Sequence, residues 1–304
     1  MFDNLNIDRV AFTIPLPEWF PGNATSLPIF WYGILVTLGI IIGVLWAARE
    51  IEKRGQDVDE LYNGVIVVVF AGYIFARLTY VALDVLQSGR QYSSLGEVLN
   101  IRAGGVNILG GFVGAAVVAV IYIWFRNLRI WHYADVAGPA LLIAQAIGRW
   151  GNFINQELYG PPTSQPWGIL IDPQFRLAQF SNLAEFPAET RFHPTFLYES
   201  IMLLLGFILL LYLNNRYRDQ WQPGTLFSVF LIWWGGNRAW IELFRPDQAT
   251  IGAGPVTYSM VIAILIALVG VYLFLSFTNR LPESARRQRR RKRALKPKVN
   301  RSQS

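Results

Sequence analysis

Residues 148–160 read Gly148-Arg149-Trp150-Gly151-Asn152-Phe153-Ile154-Asn155-Gln156-Glu157-Leu158-Tyr159-Gly160, directly after the apolar run Val136–Ile147. A run of that kind crosses a membrane. An Arg, two Asn, a Gln and a Glu then fall within nine residues (149 to 157), at the edge of hydrocarbon. Charges at that depth are costly, and where they persist they are paired or functional. The competing reading is an interfacial loop, with a snorkelling Arg and Asn side chains bonded to the backbone.

The rest of the chain supports a membrane setting. Of 304 residues, 53% are hydrophobic and 15% are charged, against about 25% charged in soluble domains. The hydrophobicity comes in long blocks, which implies an integral helical membrane protein. Cysteine is absent, which excludes disulfides, thiolate metal sites and a cysteine nucleophile. Two His are too few for a His-rich metal site, and no metal is expected. The net charge of +7 does not point to nucleic acid, because the tail from Arg280 on carries eleven Lys and Arg. A basic tail beside a last span marks the cytoplasmic side and anionic lipid.

Hydropathy predicts an all-α membrane protein with seven spans, about Pro28–Ala48, Leu61–Leu83, Val106–Phe125, Ala134–Arg149, Pro194–Leu213, Gly224–Phe244 and Val256–Phe277. The fourth is short enough to be tilted or to end within the membrane. No internal repeat is evident, which weakens a transporter built from two related halves. With the N-terminus outside, the inner segments hold 18 Lys and Arg and the outer segments 7. That bias predicts N-out and C-in. Residues 1–27 are then an extracytoplasmic segment with no charged-then-apolar signal sequence before it. Residues 28–277 form the membrane domain, residues 278–304 a basic cytoplasmic tail without fixed structure, and the loop of about Trp150–His193 a small outer cap.

Polar groups recur inside the apolar blocks. Arg77 lies in the outer half of the second span, followed by Tyr80. Arg238 and Glu242 are i and i+4 near the outer end of the sixth, and Arg245 is i+3 from Glu242, so all three can pair on one face. An ion-pair ladder explains Glu242 on structural grounds alone. Two Arg with one Glu leave surplus positive charge, to which Arg149 and Arg77 can add, and guanidinium groups suit a phosphate. His193 opens the fifth span, with Tyr198 and Glu199 a turn or more inside; a lone interfacial His serves as a spacer more often than as a base. His132 receives no role. Gly110 and Gly114 permit close helix packing. Trp31-Tyr32-Gly33 fits an aromatic belt near the outer end of the first span.

In order, these segments resemble the prolipoprotein diacylglyceryl transferase family of bacteria. The resemblance rests on Trp31-Tyr32-Gly33, Ala76-Arg77 with Tyr80, Gly104-Gly105 with Gly110-Gly111, Gly148 to Glu157, His193-Pro194-Thr195-Phe196-Leu197-Tyr198-Glu199, and Arg238 to Arg245. It implies a seven-span enzyme of the bacterial inner membrane, with its active site toward the extracytoplasmic side and no metal or organic cofactor. Such enzymes move the diacylglyceryl group of phosphatidylglycerol onto the lipobox cysteine of a preprolipoprotein signal peptide, forming a thioether and releasing glycerol 1-phosphate. By that resemblance Arg149, Asn152, Glu157, Arg238 and Glu242 are essential, and Tyr32, Gly160 and Arg245 are supporting. Two positions depart from the family pattern. Leu109 stands where many members carry His and others Tyr, and Trp234 stands where some carry Tyr.

The implied reaction is attack of sulfur on the terminal glyceryl carbon, expelling a phosphate monoester. Fixed guanidinium groups aimed at that leaving group lower the barrier. Arg149 and Arg238 are assigned to the phosphate, with Asn152 and Asn155 on glycerol or phosphate oxygens. Glu242 would orient Arg238, and Glu157 would orient Arg149 or meet a headgroup hydroxyl. A thiol titrates near pH ~8.5 and lower beside cations. The proton acceptor is left open among His193, Glu199 and water, since Leu109 cannot serve. A transporter for an anionic lipid or solute, a lipid phosphatase, and a lipid-binding scaffold are the competing classes.

The orientation is testable in this cysteine-free chain. Single Cys residues at 181 and 284, treated in intact cells with an impermeant thiol reagent, should label at 181 and be protected at 284. The opposite pattern overturns the assignment.

Overall fold

The computed structural model describes residues 8–17, 25–99, 104–248, 250–251, 254 and 256–278, so the basic tail lies outside the described residues. These residues are mostly helical. A short antiparallel hairpin, β1 (Val10–Pro15) with β2 (Ser26–Phe30), leads into α1 (Trp31–Lys53). Then follow α2 (Val58–Ser88), the single turn α3 (Leu95–Leu99), α4 (Ile108–Phe125) and α5 (Ile130–Ile154). After β3 (Ile169–Leu170) and β4 (Arg191–Phe192), the chain continues as α6 (Thr195–Tyr217), α7 (Thr225–Ile241) and α8 (Tyr258–Phe277). The seven long helices fall on the seven apolar blocks. Four of them, α1, α2, α6 and α8, are long and apolar enough to cross a membrane by length and composition.

The fourth block differs from expectation. Hydropathy ends it at Arg149, but α5 runs 25 residues through Pro139 to Ile154. Backbone bonding, not polarity, sets the end: Asn155 N–H still bonds Gly151 O at 2.9 Å. The chain then turns left-handed at Gln156, with φ 52°. Arg149 and Asn152 therefore sit on helical backbone rather than in a loop. In the sixth block the helix stops at Ile241, and Glu242–Phe244 tighten into a 3-10 turn.

The chain forms two compact units, residues 44–137 and residues 1–43 with 138–304. In the first, α2 packs on α4. A Cβ on Gly110 would overlap Thr79, one on Gly114 would overlap Phe75, and one on Gly111 would come within 3.1 Å of Gly72 O. Helices in lipid associate through close backbone approach rather than hydrophobic burial, so this glycine face is the packing surface. Asn107 caps α4 by accepting from Gly110 N–H at 2.9 Å. At the far end Tyr122 and Arg126 both donate to Glu60.

Arg77 is buried in this unit. Its guanidinium donates to the carbonyls of Val98 (2.6 Å), Gly104 (2.7 Å), Gly105 (2.8 Å) and Glu97 (3.1 Å). These four hydrogen bonds tie the segment before α4 to α2.

In the other unit α1 crosses α5 with Gly39 against Ala144 and Gly43 against Ala140, backbone to backbone. The α7–α8 contact uses the same device at Gly235 and Gly270, while on α6 Gly206 makes room for the Trp233 ring of α7. Leu142, Ala146, Leu203, Leu210, Leu226 and Phe230 form its apolar centre. Residues 155–193 fold over an apolar centre built from Tyr159, Ile169, Ile171, Phe180 and Phe192 together with Phe196 from the first turn of α6. Buried Arg176 knots this segment by donating to Ile171 O, Phe186 O, Pro187 O and Ala188 O at 2.8–3.1 Å.

Candidate active site

Three helix ends meet in the larger unit. The last turns of α5 supply Arg149 and Asn152, the first turn or so of α6 supplies Tyr198 and Glu199, and the end of α7 supplies Arg238 with Glu242 after it. Arg149, Glu199, Glu242 and Arg245 all lie within electrostatic range of the Arg238 guanidinium. Sequence positions spread over about a hundred residues are thus one cluster.

The pairing within it differs from expectation. Arg149 Nη2 donates to Glu199 Oε1 at 2.5 Å, and its Nη1 to Asn152 Oδ1 at 3.3 Å. Glu199 is therefore the partner of Arg149. Glu157 instead accepts from the Asn152 amide at 2.8 Å and the Asn155 amide at 3.1 Å, both on Oε1. Arg238 pairs with Glu242 as expected and also donates to Ser259 at 3.1 Å. The other oxygen of Glu242 accepts from Thr257 at 2.9 Å. Arg245 does not join that ladder. The 3-10 turn leaves it extended, and it forks onto Asp247 at 2.9 and 2.7 Å. The expected surplus of positive charge is absent: each of the three guanidinium groups carries a carboxylate partner. Arg149 and Arg238 nevertheless remain about a fifth exposed and keep donors for a ligand.

Small residues let this cluster form. A Cβ on Gly151 would strike Tyr32, whose hydroxyl has Glu157 and Arg149 within electrostatic range. A Cβ on Gly160 would press on His193, Thr195 and Phe244 O at 2.8–3.0 Å, and Gly160 N–H bonds His193 O at 2.9 Å. Gly160 is thus required by crossing chains, not by its own backbone angles.

Between them lies a strained turn. Gln156 and Leu158 are both left-handed, at φ 52° and 58°. Each costs about 1–3 kcal/mol for a residue with a side chain, and such strain persists only where neighbours impose it. Here they do. Gln156 exchanges two hydrogen bonds with Asp172 at 3.0 and 2.7 Å, and Thr195 donates to Leu158 O. Arg9 donates to Asn155 O while its guanidinium lies 3.7 Å from the Phe175 ring centre. Arg9 is one of the seven Lys and Arg residues of the outer segments. A contact across 146 residues leaves no local signal.

His193 is held in a hydrogen-bonded chain with Tyr198 and Trp167. Trp167 N–H donates to Tyr198 Oη at 2.7 Å, and His193 Nδ1 lies 2.9 Å from the same oxygen. Tyr198 Oη thus stands between the Trp167 indole and the His193 imidazole and engages both. Burial holds the imidazole below its ordinary pKa, which favours the neutral ring. Trp234 donates to Gln145 Oε1 at 3.0 Å, bracing α7 against α5. Leu109 is 70% exposed on the first turn of α4.

A family model described as Prolipoprotein diacylglyceryl transferase matches residues 23–276. The chain belongs to the prolipoprotein diacylglyceryl transferase family. It is 37% identical to the phosphatidylglycerol–prolipoprotein diacylglyceryl transferase of Chloroflexus aggregans, over 83% of this chain and 87% of that one. The protein of the same name from Halalkalibacterium halodurans is 40% identical over 78% and 79%. That from Bacillus cereus is 33% identical over 92% and 96%. Within the family frame, the cluster at Arg149 and Arg238 gathers five residues taken as essential from the resemblance: Arg149, Asn152, Glu157, Arg238 and Glu242.

If Glu199 and Arg149 act as one unit, their losses should not add. Turnover of Glu199→Gln, Arg149→Lys and the double variant is expected to show the double variant little worse than the poorer single one. Strictly multiplicative losses would show two independent residues.

Proposed function

We infer that this protein transfers the diacylglyceryl group of phosphatidylglycerol to a prolipoprotein, the first step of lipoprotein maturation. Family membership over nearly the whole membrane domain supports the activity. The carrying observation for the chemistry is the Arg149–Glu199 and Arg238–Glu242 pairs, held together with donors to spare. The protein spans the inner membrane seven times, with the N-terminus and the 155–193 cap on the extracytoplasmic side. Phosphatidylglycerol and a lipobox signal peptide meet there.

The cysteine sulfur attacks the terminal glyceryl carbon, the carbon–oxygen bond breaks, and glycerol 1-phosphate departs as an anion. Arg149 and Arg238 bind the phosphate and stabilise the charge it gains, an effect strongest where donors are fixed beforehand. Glu199 and Glu242 do that fixing, and Asn152 links Arg149 to Glu157. Tyr32, Asn155 and Tyr198 line the approach of the glycerol. Arg245, forked onto Asp247, supports the turn after α7, and Gly160 leaves room for His193 beside it. Leu109 does not abolish activity, because a thiol loses its proton far more readily than a hydroxyl and does not depend on a base at that position.

Purified protein, phosphatidylglycerol labelled in its diacylglyceryl part, and lipobox peptides with Cys or Ser test this. Label should pass to the Cys peptide alone, with glycerol phosphate released. His193→Gln should cost tenfold or less, below the ~10² to 10⁴ of a general base. No transfer by the wild type, with transfer restored by Leu109→His, would make the chain a degenerate member. Inorganic phosphate release would indicate a phosphatase, and lipid movement without chemistry a transporter.

A further inference from the structure

We propose that Glu157 is the group that takes the proton from the lipobox thiol. The proposal rests on the transferase reading above. Four observations lead to it. Leu109 cannot take a proton. His193 has Nδ1 engaged by Tyr198. Glu199 is buried and held by Arg149. Glu157, bonded to Asn152, is exposed, whereas Glu199 and Glu242 are buried.

The backbone presents Glu157 to the site. It sits between the two left-handed residues, Gln156 and Leu158, in a turn fastened by Arg9, Asp172 and Thr195. Such strain concentrates at functional positions. Both amides, from Asn152 and Asn155, converge on Oε1. Among the described residues none bonds Oε2, so one oxygen is anchored and the other is left for a substrate. The same Asn152 also accepts from Arg149, so one amide links Glu157 to the guanidinium that would hold the leaving phosphate.

In the step, the S–H proton passes to Glu157 Oε2 as the sulfur electron pair forms the C–S bond. The C–O bond to phosphate breaks and its electron pair leaves with glycerol 1-phosphate. Glu157 then returns the proton to water, and no further reactant is consumed.

A peptide whose lipobox Cys is replaced by selenocysteine separates proton removal from positioning, because its selenol is already ionised at neutral pH. Glu157→Gln keeps an oxygen for Asn152 and Asn155 but cannot accept the proton. It should lose at least ~10²-fold with the Cys peptide, the range for a general base, and stay within about tenfold of wild type with the selenocysteine peptide. Glu157→Asp, which keeps a carboxylate, should retain more Cys transfer than the Gln variant. Equal losses on both peptides would make Glu157 a positioning residue, and near-normal Cys transfer by Glu157→Gln would remove it from the step; either overturns the proposal. Wild type inert on both peptides would instead overturn the transferase reading itself.

Discussion

A guanidinium cannot lose its charge, so placed where water is scarce it must find partners. This chain meets that constraint in two ways, and the difference separates its scaffold from its site. Arg77 and Arg176 are 4% and 8% exposed and are surrounded by main-chain carbonyls. Each ties a connecting segment with four hydrogen bonds to main-chain carbonyls. Arg149 and Arg238 are given one carboxylate each, Glu199 and Glu242, and stay about a fifth exposed. A carboxylate balances the charge while occupying only part of the fork. What remains is a fixed, partly unfilled set of donors, which a phosphate can complete.

The turn after α5 follows from the same economy of space. Gly151 and Gly160 allow Tyr32, His193 and Phe244 to approach the chain on either side. The five residues after Ile154 must therefore reverse direction sharply, and two non-glycine residues adopt left-handed angles to do so. The 155–193 segment, with its apolar centre and the Arg176 knot, supplies the rigid body that holds Asp172 in place against Gln156. Function and fold meet at Glu157, whose direction is set by strain on both sides of it.

Seven helices were legible because hydropathy reports where long apolar segments lie, and the packing glycines Gly110 and Gly114 were legible by their spacing. The end of α5 was not, because polarity and hydrogen bonding part company at Arg149: a charged side chain can ride on helical backbone. The ladder of Arg238, Glu242 and Arg245 was half right. The i, i+4 pair formed, but the i+3 contact needed a helix that the chain abandons at Ile241, and Asp247 two residues on took Arg245 instead. The Arg149–Glu199 and Arg9–Asn155 contacts bridge 50 and 146 residues, a distance at which spacing carries no information.

The central claim is that Arg149 and Arg238 act through the geometry of their forks and not through charge alone. Turnover of Arg149→Lys and Arg238→Lys, measured on phosphatidylglycerol and a lipobox Cys peptide at equal folded yield, tests it most directly. Lys keeps the charge but has no planar fork. Each variant should lose on the order of 10²-fold or more, the scale of one lost preorganised donor. Turnover within a few-fold of wild type in either would contradict the account at that residue.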